Sequence, residues 1–302
     1  VGCSTCHEPK QGWGFSDDIS RGYPGTKHWR NSQTVVNSAY YNKLFWVGAA
    51  KSLEAQAPGA AKGAVAGNGE SDMMETRLHF IPEYRERFKA VFGDIQPKLS
   101  NAWKAIAAFE RTLVQTDTPF DRFMNGESGA LSEEAKRGKA LFEGKANCIE
   151  CHNGALFSDQ KYYNIGLSRS ERWLTDAFAQ ITFRYEQYAK GVTEEMYRKI
   201  KDDAGLYYRT KQKSDMGKFR TPPLRYTAYT APFMHNGSFF DFDEVIEFYN
   251  NGGGSNDFTD GVMAKNKTPL LKKLGLSDQE KADLAAFLES LSGAEIKMST
   301  PK

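Results

Sequence analysis

Cys3-Ser-Thr-Cys6-His7 and Cys148-Ile-Glu-Cys151-His152 together hold all four cysteines of the 302-residue chain. A Cys-x-x-Cys-His pentapeptide sets two thiols where they can add to the two vinyl groups of one porphyrin, while the next residue offers an imidazole to the iron. The two copies read as two covalently attached c-type haems. One Cys-x-x-Cys alone would leave a disulfide, a zinc site or a redox dithiol open. Two copies, each followed at once by His and with no Cys left over, turn the reading to haem. Zinc would want four ligands converging from both pairs, and a thioredoxin-like motif carries no obligatory His.

Composition bounds the rest. A chain of this length with 40% hydrophobic residues can build two cores, and two haems suggest one domain each. The net charge is only +2 with 26% charged residues, so neither nucleic acid nor an anionic membrane surface is an expected partner. No run approaches the roughly 18 apolar residues of a membrane span. Haem attachment of this kind takes place beyond the bacterial inner membrane, which makes the periplasm or the cell surface the expected location.

Each half carries its motif early and an amphipathic helix late. In Asn101 to Leu113, Trp103, Ile106, Phe109 and Leu113 fall on one stripe; in Lys281 to Leu291, Leu284, Phe287, Leu288 and Leu291 do the same. Ser277-Asp-Gln-Glu280 is a capping-box start for the second of these helices. A polar, Gly-containing join at Asn125 to Ala130 divides the chain into residues 1–128 and 129–302. A helix then starts at Leu131-Ser-Glu-Glu and runs through Ala135, Gly138, Leu141 and Phe142 toward Cys148; its counterpart is expected ahead of Cys3. The predicted fold is mainly α, two tandem cytochrome-c-like haem domains. Ala57 to Gly69 reads as a Gly/Ala-rich loop over a site, and Ser168 to Lys213 as an aromatic, charged excursion outside the core.

Around the motifs, Arg30-Asn-Ser-Gln-Thr-Val-Val-Asn37, Leu44-Phe-Trp46, Ser52-Leu-Glu-Ala-Gln56, Phe219-Arg-Thr-Pro-Pro-Leu-Arg225 and Thr230-Ala-Pro-Phe-Met-His-Asn-Gly237 complete a pattern. The pattern resembles the bacterial dihaem cytochrome c peroxidase and MauG-like family over nearly the whole chain. The resemblance implies that His7 is the proximal ligand of a peroxide-reactive haem and His152 that of a second, electron-transferring haem. It gives Gln56 a distal place beside a carboxylic acid, Trp46 a place between the haems, and Arg225 a place at a haem edge against a propionate. It also implies one Ca²⁺ held by Asn31, Thr230 and Pro232, a set of hard oxygen donors. The acid departs from the pattern. Ala66 stands at its naive position, and Glu70 is the carboxylate between Glu54 and Asp72 that the loop could bring in. His28 is read as a peripheral residue beside Trp29.

Fourteen residues after His235 the family places the sixth ligand of the second haem, Met in ordinary peroxidases and Tyr in MauG-like enzymes; here it is Tyr249. A phenolate donates charge to oxidised iron and lowers its potential, where a thioether raises it. The expected function is therefore reaction with hydrogen peroxide followed, through a high-valent, bis-ferryl-type state, by oxidation of a protein substrate such as a Trp side chain. The alternative is a cytochrome c peroxidase fed by a small c-type cytochrome or cupredoxin, and a third reading is a pure electron carrier with two closed haems. Ala146 stands where a quinone-forming relative has its exit Trp, so Trp103, Trp173 or the tyrosines around it would have to serve. Tyr249 could instead be a core residue on the Phe242, Val245, Ile246 stripe, with Met234 or Met263 as ligand.

Overall fold

Each Cys-x-x-Cys-His segment folds into the same turn in the computed structural model, which describes residues 2–170, 174–255 and 266–298. Short 3₁₀ turns run over Cys3–Thr5 and Cys148–Glu150. In both, the amide of the motif His donates to the carbonyl of its first Cys, at 3.0 Å for His7 and 2.9 Å for His152. The turn gathers the residues that attachment to one porphyrin requires.

The first half holds α1 (Leu53–Lys62), α2 (Ser71–His79), α3 (Pro82–Phe92), α4 (Leu99–Glu110) and α5 (Pro119–Met124). The second holds α6 (Glu133–Glu143), α7 (Ala177–Ala189), α8 (Glu194–Lys199), α9 (Tyr207–Thr210), α10 (Phe242–Asn250) and α11 (Asp278–Ser290). The fold is mainly α, as the sequence predicts. The named strands among the described residues are β1 (Tyr162–Tyr163) and β2 (Phe219–Arg220), antiparallel with Tyr162 opposite Arg220.

The expected capping box starts α11: the Ser277 hydroxyl accepts from the Glu280 amide, and the Glu280 carboxylate accepts from the Ser277 amide at 2.8 Å. Leu284, Phe287, Leu288 and Leu291 are all buried against Phe142, Phe157 and Ile246. α6 crosses α11 at Gly138, where a Cβ would lie 1.9 Å from the Asp283 carbonyl oxygen. α4 differs from its predicted stripe. Its buried face is Leu99, Ala102 and Ala107, while Phe109 is 41% exposed, because small alanines let α1 lie close along it.

Two further expectations are corrected. Ala57 to Lys62 continue α1, held by the Ser52 hydroxyl accepting from the Ala55 amide, so the loop begins only at Gly63. Ser168 to Lys213 is no excursion: Phe183, Met196, Ile200, Tyr207 and Tyr208 join Ile19, Trp29 and Val65 in one buried cluster. The charges of α8, Glu194, Glu195, Arg198 and Lys199, do reach solvent, which hid the buried face in a composition reading. Trp173 and Met263 lie outside the described residues.

A repeat that the motifs do not announce relates the halves. A shift of 189 residues carries Asn37 onto Tyr226, Phe45 onto Met234 and Gly48 onto Gly237, each pair with matching left-handed φ (61° and 71°, 65° and 70°, 66° and 65°). The same shift carries the Leu44–Ala50 bridge onto Phe233–Phe239, the turn Ser38–Tyr40 onto Thr227–Tyr229, and the helix cap Ser52 onto Asp241. It pairs Asn31 with Arg220 and Trp46 with His235. Across the interface the Asn31 amide donates to the His235 carbonyl at 2.8 Å, and the Arg220 amide to the Trp46 carbonyl at 2.9 Å. Such a reciprocal exchange is what a pseudo-two-fold relation between halves produces. The tail closes the join: the Trp13 indole donates to the Ile296 carbonyl at 3.0 Å, and the Gln115 amide to that of Ala294 at 2.8 Å.

Candidate active site

Both motif histidines are prepared as iron ligands. His7 Nδ1 lies 3.3 Å from the Trp13 carbonyl and His152 Nδ1 lies 3.0 Å from that of Phe157. Both carbonyls belong to residues in the left-handed backbone region, φ 59° and 52°. A carbonyl only accepts, so Nδ1 carries the proton and Nε2 keeps its lone pair free. Burial lowers the pKa of both imidazoles, which keeps them neutral, as a ligand must be. The thiols lack the character of a reactive dithiol. Burial raises the pKa of all four, that of Cys148 to about 12, whereas a redox thiol needs a lowered one. Among the described residues no three His, Cys, Asp or Glu converge as a zinc site would require.

On the first half, Gln56 stands half-buried on α1, and its amide makes no hydrogen bond to the described residues. Glu70 sits elsewhere in role: it is exposed, and its carboxylate caps α2 by accepting from the Asp72 amide at 3.1 Å. A different carboxylate faces the first motif. Glu110, the last residue of α4, is half-buried and close enough to Cys3 to raise that thiol further. Burial lifts Glu110 to about 7, with Arg111 opposing and Glu54 reinforcing the shift. Such a group can give or take a proton at neutral pH. Sequence reasoning missed it because nothing in the α4 pattern separates it from a solvated helix-end glutamate. His28, read as peripheral, is part-buried, its Nδ1 2.9 Å from the Arg30 carbonyl, and burial lowers its imidazole to about 4.

Trp46 lies in the corner between the halves, 8% exposed, its indole N–H donating to the Asn31 carbonyl at 2.9 Å. Its pseudo-symmetry partner His235 meets it edge-on at 6.4 Å between ring centroids and stacks on Phe219 at 3.7 Å. Arg30 and Asp203 form a buried pair beside them at 2.6 Å. Burial lowers the His235 imidazole to about 4. Phe219 and His235 stand in the stretches that carry the family resemblance, but their stacking and the Arg30–Asp203 pair escaped the sequence reading, since Arg30 and Asp203 lie 173 positions apart and leave no local signal.

On the second half, Tyr249 projects from α10 toward the second motif. Burial raises its pKa, and Cys148 and Cys151 lie near enough to raise it further. Its hydroxyl has no hydrogen-bond partner among the described residues, while Ile246 on the same helix takes the core position. Arg225 forms a two-pronged pair with Asp121 at 2.7 and 2.8 Å and donates through Nε to the Ala155 carbonyl at 2.5 Å. Its fork thus has a protein carboxylate, which the sequence did not foretell. Asn31 is buried, and its amide bond to His235 brings it to the loop that carries Thr230 and Pro232.

Two motif turns with preset neutral imidazoles, a tyrosine aimed at one of them and an aromatic corner between them define a two-haem c-type redox protein. Residues 1–129 match the model of the family described as di-haem cytochrome c peroxidase. The chain is 57% identical, over 97% of its length and 76% of the relative's, to the cytochrome-c peroxidase IdrP1 of Denitromonas iodatirespirans. It is 31% identical over its whole length to the methylamine utilization protein MauG of Methylophilus methylotrophus, covering 79% of it. The fold is similar to the crystal structure of a MauG-like protein associated with microbial copper homeostasis, with TM-score 0.79 and 30% identity over 97% of this chain and 84% of that one. The chain belongs to the di-haem cytochrome c peroxidase and MauG family and is a haem oxidoreductase.

Proposed function

We propose that this protein consumes hydrogen peroxide at the haem carried by His7 and does so from its fully oxidised state. The attached haems supply redox-active iron; the residues around them decide what that iron does. Nε2 of His7 and of His152, freed by the carbonyls of Trp13 and Phe157, are the proximal donors. Gln56 would offer an unpaired side-chain amide to bound peroxide; Glu70 is engaged as a helix cap, and Glu110, raised to about 7 by burial, is a second candidate for carrying the proton. The observation that carries the proposal is Tyr249 on the second motif. A phenolate there lowers the second haem's potential. A haem held by His152 and Tyr249 would then favour oxidised iron, which would suit an enzyme that needs no prior reduction.

For the electron donor, the cytochrome-c peroxidase name of the 57% identical relative supports a small redox protein. Tyr249 favours a second reading, in which the electrons come from a protein side chain such as a Trp. A Ca²⁺ would take the hard oxygens of Asn31, Thr230 and Pro232, and the protein would work in the periplasm or at the cell surface. The test is to add stoichiometric peroxide to the oxidised protein and follow near-infrared absorption. A band shared by the two haems that appears without reductant and decays on adding a reduced cytochrome supports the peroxidase reading. Decay only with a protein side-chain donor supports the second. No reaction until one electron is added would overturn the proposal.

A further inference from the structure

Arg220 is the largest wholly buried side chain of the described residues, 2% exposed, and it has no carboxylate. Its Nε and Nη1 have no hydrogen-bond partner. The other buried or half-buried arginines near the interface are paired: Arg30 with Asp203, Arg225 with Asp121. An unpaired guanidinium held away from water costs several kcal/mol or more. Its nearest polar company does not offset this. The Tyr41 ring lies 4.8 Å from the guanidinium carbon, a cation–π contact, and the Tyr162 phenol faces it across β1 and β2. Burial raises the pKa of both phenols, Tyr41 to about 12, so neither is an anion at neutral pH.

The position of Arg220 suggests what the anion is. Its amide bonds to the Trp46 carbonyl, and two residues on, the Pro222 backbone touches the His152 imidazole. Arg220 is therefore tied both to the corner between the halves and to a haem ligand. A covalently held porphyrin carries two carboxylates on flexible arms, and such a group makes charge-assisted, two-pronged bonds to a guanidinium. We propose that Arg220 holds a haem propionate, so that the buried charge is compensated only in the haem-loaded protein. This rests on the two-haem reading above. Its pseudo-symmetry mate is the neutral Asn31, so the device belongs to one side of the corner only.

The holoprotein carrying Arg220→Gln tests this, with Arg220→Lys beside it. Removing the positive charge leaves a propionate uncompensated and favours the oxidised, more positive iron, so the midpoint potential of one haem falls while the other stays. The propionate bending bands of that same haem shift in resonance Raman spectra, and Arg220→Lys restores the potential most of the way. The haem whose potential moves is the one Arg220 holds. Unchanged potentials and propionate bands in a folded, two-haem Arg220→Gln protein would overturn the proposal. So would potentials of the parent that track added nitrate or chloride, since the counter-ion would then be an exchangeable anion. A pyridine haemochrome assay keeps the two readings separate: two haems per chain in parent and variant uphold the haem assignment whatever the potentials do.

Discussion

Replacing Asp203 by Asn tests the corner on which Trp46 and His235 rest. Arg30 reaches Asp203 through Nε at 2.6 Å and Nη2 at 2.9 Å, with side-chain exposures of 6% and 8%. The guanidinium also lies 3.9 Å from the Trp29 ring centroid and 5.3 Å from that of Phe219. Asparagine keeps the shape and removes the charge, leaving a buried guanidinium with one acceptor where it had two. Breaking a buried pair from one side costs about 3–5 kcal/mol, whereas replacing both partners with apolar residues, Arg30→Met with Asp203→Leu, is near neutral or mildly stabilising. Urea unfolding of the holoprotein followed by far-ultraviolet circular dichroism measures this as a lower midpoint at unchanged slope. The pH dependence gives a second reading. Burial by itself would raise the Asp203 carboxyl, but the Arg30 charge wins and holds it below the usual range. A carboxyl lowered on folding contributes stability that is complete above its unfolded pKa of about 3.9 and is lost as pH falls through the lower folded value. The gap between parent and Asp203→Asn should therefore be constant from neutral pH down to about 5 and close in more acid solution. A gap under about 1 kcal/mol at pH 7, or one that persists unchanged into acid, would refute the assignment of a buried, charge-bearing pair.

Gly138→Ala should lower stability by about 1–3 kcal/mol in thermal unfolding, because the new methyl would meet the Asp283 carbonyl at 1.9 Å and the Phe287 Cβ at 2.8 Å. Trp46→Phe keeps an aromatic ring in the corner but leaves the Asn31 carbonyl unpaired, at about 1–3 kcal/mol; its near-infrared band after peroxide should vanish while peroxide is still consumed at the first haem. Glu110→Gln removes a carboxyl raised from 4.5 to about 7. A carboxyl raised on folding lowers stability as pH climbs from its unfolded to its folded pKa, so the variant should lose the fall in stability that the parent shows across that window in pH-dependent urea titrations. Tyr249→Met should raise the midpoint potential of the second haem, within the roughly 0.8 V span that axial ligands command, and spectroelectrochemical titration of both haems would show it.

How much of this could be read from the sequence follows from how local each signal is. The motif turns, the α11 cap and the Leu284, Phe287, Leu288, Leu291 stripe rest on contacts within a few residues, and they stand in the structure where the sequence puts them. The buried face of α4 is misjudged because alanine is silent in a hydrophobic stripe, although Ala107 packs in one cluster with Leu53 of α1 and Ala102 in another with Phe88 of α3. The 189-residue repeat could not be found from the motifs, which stand 145 residues apart: the stretches between motif and repeat differ in length, so no single shift aligns the whole halves. Of the site, spacing in the sequence offers His7, His152 and Tyr249 as candidate ligands, and the structure puts the two histidines in matching turns and Tyr249 near Cys148 and Cys151. Asp203, His235 and Arg220 make their contacts with Arg30, Trp46 and Tyr41, partners distant in sequence, and so leave no local signal.

The pseudo-symmetry also bears on how the corner would pass charge in the proposed function. At equivalent positions the halves place Trp46 and His235, and only the indole is readily oxidised. Its N–H is bonded to a backbone carbonyl at 2.9 Å, which cannot take a proton, so an electron can leave without the proton following. The neighbouring imidazole is neutral, lowered to about 4 by burial, and is a poor base for the same proton. A positive hole held there would be repelled by any bare cation nearby in a low-dielectric interior. Two guanidinium groups border the corner: Arg30 is already neutralised by Asp203, and Arg220 is the one with no protein counter-ion. If a propionate meets Arg220, loading the haem and clearing the path through Trp46 are a single event, and the corner becomes conductive only in a protein that has its cofactor in place.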